Sequence, residues 1–164
     1  MDRVTFYTFT VLAMVLGLPI VSHQLRRRPS VFRYINYILL GIYLFANFYL
    51  TMLSRPVSLY HHMELTPLWS YRAALQGNAS LQEEVILNIL LYVPLGYLLH
   101  YACPKLKWWM VILTGFLMSG LTEMIQLIFK LGLCEVDDLI SNTVGTVIGV
   151  GAYMGYKRIE GSNH

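Results

Sequence analysis

Five stretches of this chain are apolar for long enough to cross a lipid bilayer, and no other feature narrows its fold as much. A spanning helix needs about 20 mostly apolar residues. The stretches run roughly Thr5 to Ser22, Tyr34 to Ser54, Val85 to Tyr101, Trp108 to Phe129 and Leu139 to Tyr156. Lipid offers no partner to unpaired backbone groups, so helix is the expected state. The residue-by-residue alternation of a membrane β-barrel is absent, and no internal repeat is visible. Composition agrees: 56% of residues are hydrophobic and only 13% charged. A soluble domain of 164 residues has too much surface to hide that apolar share. Disorder requires low hydrophobicity, and two cysteines are too few for a disulfide-built fold. The expected fold is all-α: a single polytopic membrane helical bundle of residues 1–164 with five transmembrane helices.

Charge sets the threading. A signal peptide carries its positive charge before the apolar run and a small-residue cleavage site after it. Here Arg26, Arg27, Arg28 and Arg33 follow the first run, so it reads as an uncleaved span whose end faces the cytoplasm. Alternation then places Lys105, Lys107, Lys157 and Arg158 inside as well, and leaves only Arg3, Arg55, Arg72 and Lys130 outside. Asp2, Glu64, Glu83, Glu84, Glu135, Asp137 and Asp138 fall outside too. The expected topology has the N-terminus outside and the C-terminus inside. The net charge of +3 is clustered beside the spans, where it orients helices and meets anionic lipid, so it does not signal nucleic-acid binding. Cys103 and Cys134 fall at opposite ends of a core about 30 Å thick, too far apart for a disulfide.

The longest stretch between spans, residues 55–84, is neither low-complexity nor purely polar. Leu59, Tyr60, Met63, Leu65, Leu68 and Trp69 alternate with histidines and acids, so it is expected to lie on or dip into the outer membrane surface. Pro67 argues against one unbroken helix there. Adjacent His61 and His62 point to different sides of any regular element, which favours interfacial packing over a shared metal site. Asn78-Ala79-Ser80 matches a glycosylation sequon, a short pattern that carries no weight alone.

Polar and ionisable groups within spans are costly and mark function by default. The topology brings Asn88, Glu123, Gln126, Asp137, Asp138 and Asn142 to one depth near the outer surface. Glu84 and Asn88 are four residues apart, as are Asp138 and Asn142, while Glu123 and Gln126 are three apart; each pair shares a helix face. Interhelical hydrogen bonds in membranes contribute about 0.6 kcal/mol on average. A charge at the bilayer centre costs about 2.5–3.5 kcal/mol. The comparison favours function over internal glue, less so in the outer third than at the centre. Glu123 and Asp138 are the candidates for acid/base chemistry. Arg55 can hold a phosphate or carboxylate, and Asn88, Gln126, Asp137 and Asn142 complete the candidate binding residues. Carboxylates and amide oxygens also suit a hard cation. No Cys/His cluster points to zinc, no metal ligand set is assigned, and no cofactor is named by the residues. No nucleophile elbow or phosphate loop is present, so the sequence leaves open whether the protein is an enzyme. Gly145-x-x-x-Gly149 and Gly151-x-x-x-Gly155 allow close helix approach, first within the bundle and second in a homodimer through Gly145 and Gly149. Pro94 removes a backbone bond from the third span.

The run Asn88-Ile-Leu-Leu-Tyr-Val-Pro94-Leu-Gly96 resembles the N-x-L-x-F-x-P-x-G stretch of VanZ-like membrane proteins. Thr122-Glu123-Met-Ile-Gln126 resembles their E-x-x-Q element, and Asp137-Asp138-Leu-Ile-Ser-Asn142-Thr-Val-Gly145 their D-D-x-x-x-N-x-x-G element. Leu65-Thr66-Pro67 resembles a short L-x-P element before the third span. Order and spacing are more specific than any one motif; the first two spans carry little of the likeness. Many relatives have an Arg before the acidic pair, where this chain has Leu133 or Cys134, so an anion site would have to use Arg55 instead. The resemblance implies a bacterial cell-membrane location and a role in resistance to teicoplanin, a lipoglycopeptide that attacks cell-wall precursors at the outer surface. It implies no reaction.

The leading expectation is a membrane protein whose outer-leaflet pocket engages membrane lipids, a lipid-linked cell-wall precursor or a lipoglycopeptide. The alternative is a structural or partner-binding subunit with the polar cluster as interhelical glue. A small transporter fits less well, because five spans without a repeat make a poor alternating-access frame.

Overall fold

The computed structural model describes residues 3–24 and 28–162. Asp2, Arg26 and Arg27, which entered the charge argument, lie outside the described residues. The elements in chain order are α1 (Arg3–Gln24), α2 (Pro29–Phe48) with a π-helical turn at Tyr49–Leu53, β1 (His62–Glu64), α3 (Trp69–Leu75), α4 (Ala79–Ala102), α5 (Trp108–Phe129), β2 (Leu133–Glu135) and α6 (Val136–Ser162). The protein is a helical membrane bundle. Among the described residues, four helical stretches are both long and apolar enough to cross a bilayer: Val4–Val21, Ser30–Leu53, Ala79–Ala102 and Trp108–Phe129. The fifth expected span, α6, is long enough at 27 residues but less apolar. Its first turns carry Asp137, Asp138, Ser141, Asn142 and Thr146, all buried against the other helices. Those polar atoms therefore face protein rather than lipid.

Helix boundaries follow local chemistry. α2 starts ahead of the apolar run because Pro29 occupies its first turn, where a missing N–H is harmless. α4 begins at Ala79, six residues before the expected span, because the Asn78 side chain accepts the Leu81 N–H at 3.2 Å and caps it. α4 continues through Pro94. α5 ends in a Schellman turn: Lys130 takes left-handed φ of 57°, and the Leu131 N–H reaches the Gln126 carbonyl at 2.8 Å.

α4 is the central helix and packs against α1, α2, α3, α5 and α6. Its closest partner is α6, and glycines make that approach possible. A Cβ at Gly145 or Gly149 would collide with the carbonyl oxygens of Ile89 and Val93, and one at Gly96 with the backbone of Thr146. The first of the two glycine pairs thus packs within the bundle, and the face it would show a second chain is already covered by α4. The space around Gly151 and Gly155 is open. Beside this seam the core is aromatic. Tyr97, Tyr101 and Tyr153 meet edge to face, and His100 stacks on Tyr153 with ring centroids 4.7 Å apart.

The segment between α2 and α4 is more structured than an interfacial stretch. β1 pairs in parallel with β2, with Met63 opposite Cys134 and Glu64 opposite Glu135. The Ser58 N–H donates to the Lys130 carbonyl at 2.7 Å, and His61 Nδ1 lies 2.7 Å from the Leu127 carbonyl. His61 thus packs onto the end of α5, while apolar side chains such as Leu59, 83% exposed, point away from the protein. A short helix, α3, follows Pro67. Cys103 and Cys134 are free thiols near opposite ends of the bundle.

Candidate functional site

The polar residues singled out by spacing do converge at the end of the bundle covered by residues 55–78. Asn88 on α4 donates from Nδ2 to Asp138 Oδ1 on α6 at 2.6 Å. Glu123 on α5 accepts the Glu135 backbone N–H at 2.9 Å through Oε2, tying α5 to β2. Gln126 donates from Nε2 to the Thr51 carbonyl at 2.9 Å, in the π-helical turn. Asn142 donates from Nδ2 to Ser119 Oγ at 2.8 Å. Glu123, Gln126, Asp138 and Asn142 are all at least 94% buried.

Adjacent acids part company here. Asp137 points at α3, where Oδ1 accepts the Leu68 N–H at 2.5 Å and Oδ2 accepts the Ser70 N–H at 2.8 Å and its hydroxyl at 2.7 Å. Leu68 has a left-handed φ of 62° and no side chain able to cap. Asp137 supplies the missing N-terminal cap from 69 residues away. The structure gives Asp137 this capping task, and it lines neither of the two cavities beside the cluster.

Two cavities flank the cluster. The first, about 550 Å³, opens between the end of α2 and the start of α4. Arg55, Glu83, Glu84, Asn88 and Ser54 supply its polar wall, and Leu50, Leu87 and Leu91 its apolar one. Gly132 stands beside Arg55 with φ of 130°; a Cβ there would sit 2.9 Å from Arg55 Nη1. The second cavity, about 390 Å³ and almost wholly apolar, lies between α5 and α6. Phe116, Leu117, Leu121 and Leu139 line it, with Glu123, Glu135 and Cys134 at its polar edge. Glu123 and Asp138 both feel the fields of Arg55 and Glu84, so the first cavity and the buried acids form one electrostatic unit. Outside the helices, burial and the neighbouring Glu84 carboxylate push Glu135 up to about 7. Burial and nearby acids also raise the Cys134 thiol.

Among the described residues, no three or more His, Cys, Asp or Glu side chains are grouped to hold a metal ion. Among the buried side-chain oxygens of the described residues that have no hydrogen-bond partner, those of Tyr92, Gln126 and Asn142 lie on the helices of the cluster. Residue spacing puts Glu84 on the face of Asn88, but neither Glu84 nor Glu135 is among the candidate site residues it names. Glu84 carried a signal, being one turn from Asn88 on the same face. Glu135 carried none, because only the β1–β2 ladder places it.

A family model described as VanZ/LLP1 matches residues 34–157. Over 71 residues the chain is 31% identical to Protein VanZ of Enterococcus faecium, a stretch covering 43% of this chain and 44% of that protein. The matched part is thus less than half the length of that relative. No solved structure matches significantly.

Proposed function

The chain belongs to the VanZ/LLP1 family, and from that membership we propose that it binds an amphiphile at the outer leaflet of the bacterial cell membrane and contributes to teicoplanin-type resistance. The amphiphile is a lipid-linked envelope component or a lipoglycopeptide. The observation that carries this reading is the cavity of about 550 Å³, whose lining combines Arg55, Glu84 and Asn88 with apolar Leu50, Leu87 and Leu91. Charge beside apolar wall in one cleft suits a head group and the first carbons of its chain. Arg55 holds the anion of the head group by paired hydrogen bonds. Asn88, fixed by Asp138, orients it. Asp138, bonded to Asn88, and Glu123, at the edge of the second cavity, supply acid/base capacity if a bond is changed.

The test uses cells expressing wild type, Arg55→Gln, Glu123→Gln and Asp138→Asn at equal membrane levels. The expected result is lower teicoplanin protection in each variant. Equal protection in all four would remove the site from the function. The second reading, a structural subunit glued by its polar core, is favoured by Gln126 and Asn142, whose amides bond inside the protein. It predicts that the same variants lose melting temperature and protein level together.

A further inference from the structure

We infer that the cavity selects amphiphiles whose head group carries a primary ammonium beside its anion, an ethanolamine phosphodiester being the simplest case. This rests on the reading of that cavity as the binding site and adds the chemistry of its ligand. The lining is of mixed sign: Arg55, just past the end of α2, and Glu83 and Glu84, from the start of α4, border one cleft. Among the described residues, no side-chain hydrogen bond or salt bridge ties up the Arg55 guanidinium or the Glu84 carboxylate, although both act at longer range on Glu123 and Asp138. Both charges are therefore available to a ligand.

A purely anionic head group meets a single guanidinium and is then repelled by Glu84 and by the acids behind it. A purely cationic one is repelled by Arg55. A head group bearing both signs answers both walls: its phosphodiester takes the planar fork of Arg55, and its ammonium donates to Glu84 in a charge-assisted hydrogen bond. Ser54 and Ser80 add hydroxyls to the lining, that of Ser54 donating to the Leu50 carbonyl at 2.9 Å. Leu50, Leu87 and Leu91 continue the cleft with apolar surface, which favours a head group that is attached to a chain.

The experiment measures calorimetric binding of short-chain lipids to the full chain in detergent. Dihexanoyl phosphatidylethanolamine is compared with dihexanoyl phosphatidylmethanol, which has the same phosphodiester and no ammonium. The ethanolamine lipid is expected to bind about tenfold more tightly, the effect of one charge-assisted hydrogen bond. Glu84→Gln is expected to abolish that advantage without weakening phosphatidylmethanol, and Glu84→Asp, which keeps the charge, to preserve most of it. Arg55→Gln is expected to weaken both lipids. Glycerophosphoethanolamine, lacking chains, is expected to bind at least about tenfold more weakly than the lipid; equal binding would overturn the membrane lipid as source. Equal affinity of wild type for the two lipids, or an advantage that survives Glu84→Gln, would overturn ammonium recognition while leaving the cavity as a binding site. If neither lipid binds wild type, or Arg55→Gln changes nothing, the binding-site reading fails and takes this inference with it.

Discussion

Asp137 and Asp138 are neighbours in the sequence with different tasks, because successive helical residues point about 100° apart. Asp137 turns to the backbone of α3, and Asp138 to Asn88. Asp137→Ala is therefore expected to lower stability by about 1–3 kcal/mol by leaving buried donors unpaired, with Asp137→Asn milder because one acceptor survives. Thermal unfolding in detergent checks this. Shared helix faces made the cluster readable from spacing, but spacing could not say which of two adjacent acids would meet a partner distant in the chain. Glu135 gives a pH prediction. Its folded pKa is about 7, above the unfolded value near 4.5, so the folded state binds the extra proton. Its contribution is fully present below about 4.5, declines as pH rises toward 7 and is flat beyond. Unfolding temperatures measured from pH 5 to 8 are expected to fall along this interval, and Glu135→Gln to show a shallower fall. An identical pH dependence in the variant would refute the assignment.

The seam between α4 and α6 is set by glycines, and the sequence showed the glycines without showing which surface would use them. A small-x-x-x-small pattern serves an internal helix contact as well as one between chains, so only the backbone of α4 lying over Gly145 and Gly149 decides. Gly149→Ala is expected to cost about 1–3 kcal/mol, since its Cβ meets the Val93 carbonyl oxygen. Gly151→Ala, with open space around it, is expected to be neutral or to stabilise by up to about 1 kcal/mol through helix propensity. Parallel melts of the two variants test the seam; equal effects would contradict it. Span positions were readable because apolar run length is a local property, and α5 runs over the expected Trp108–Phe129. The fold-back of residues 55–78 was not. Its β1–β2 ladder joins residues 71 apart in parallel, and three residues on each side carry no pattern of their own. The lower apolarity of α6 has the same origin: its polar first turns make sense only once the helices covering them are known.

The distribution of Lys and Arg leads us to propose a threading that collects eight of the twelve on the cytoplasmic side. In the folded chain Glu84, Glu135, Asp137 and Asp138 gather at the end of the bundle opposite Lys105, Lys107, Lys157 and Arg158. The gathering matters for function, because it decides whether the mixed-charge cleft meets the outer or the inner leaflet. Leu59 is 83% exposed on the covering segment, and Lys105 lies in the exposed turn after α4. In a chain carrying Cys103→Ser and Cys134→Ser, a cysteine placed at Leu59 is expected to react with a membrane-impermeant maleimide on intact cells. A cysteine at Lys105 is expected to react only after permeabilisation. The reverse pattern would put the cleft against the cytoplasm, and no ligand approaching from outside would then reach Arg55 without crossing the membrane.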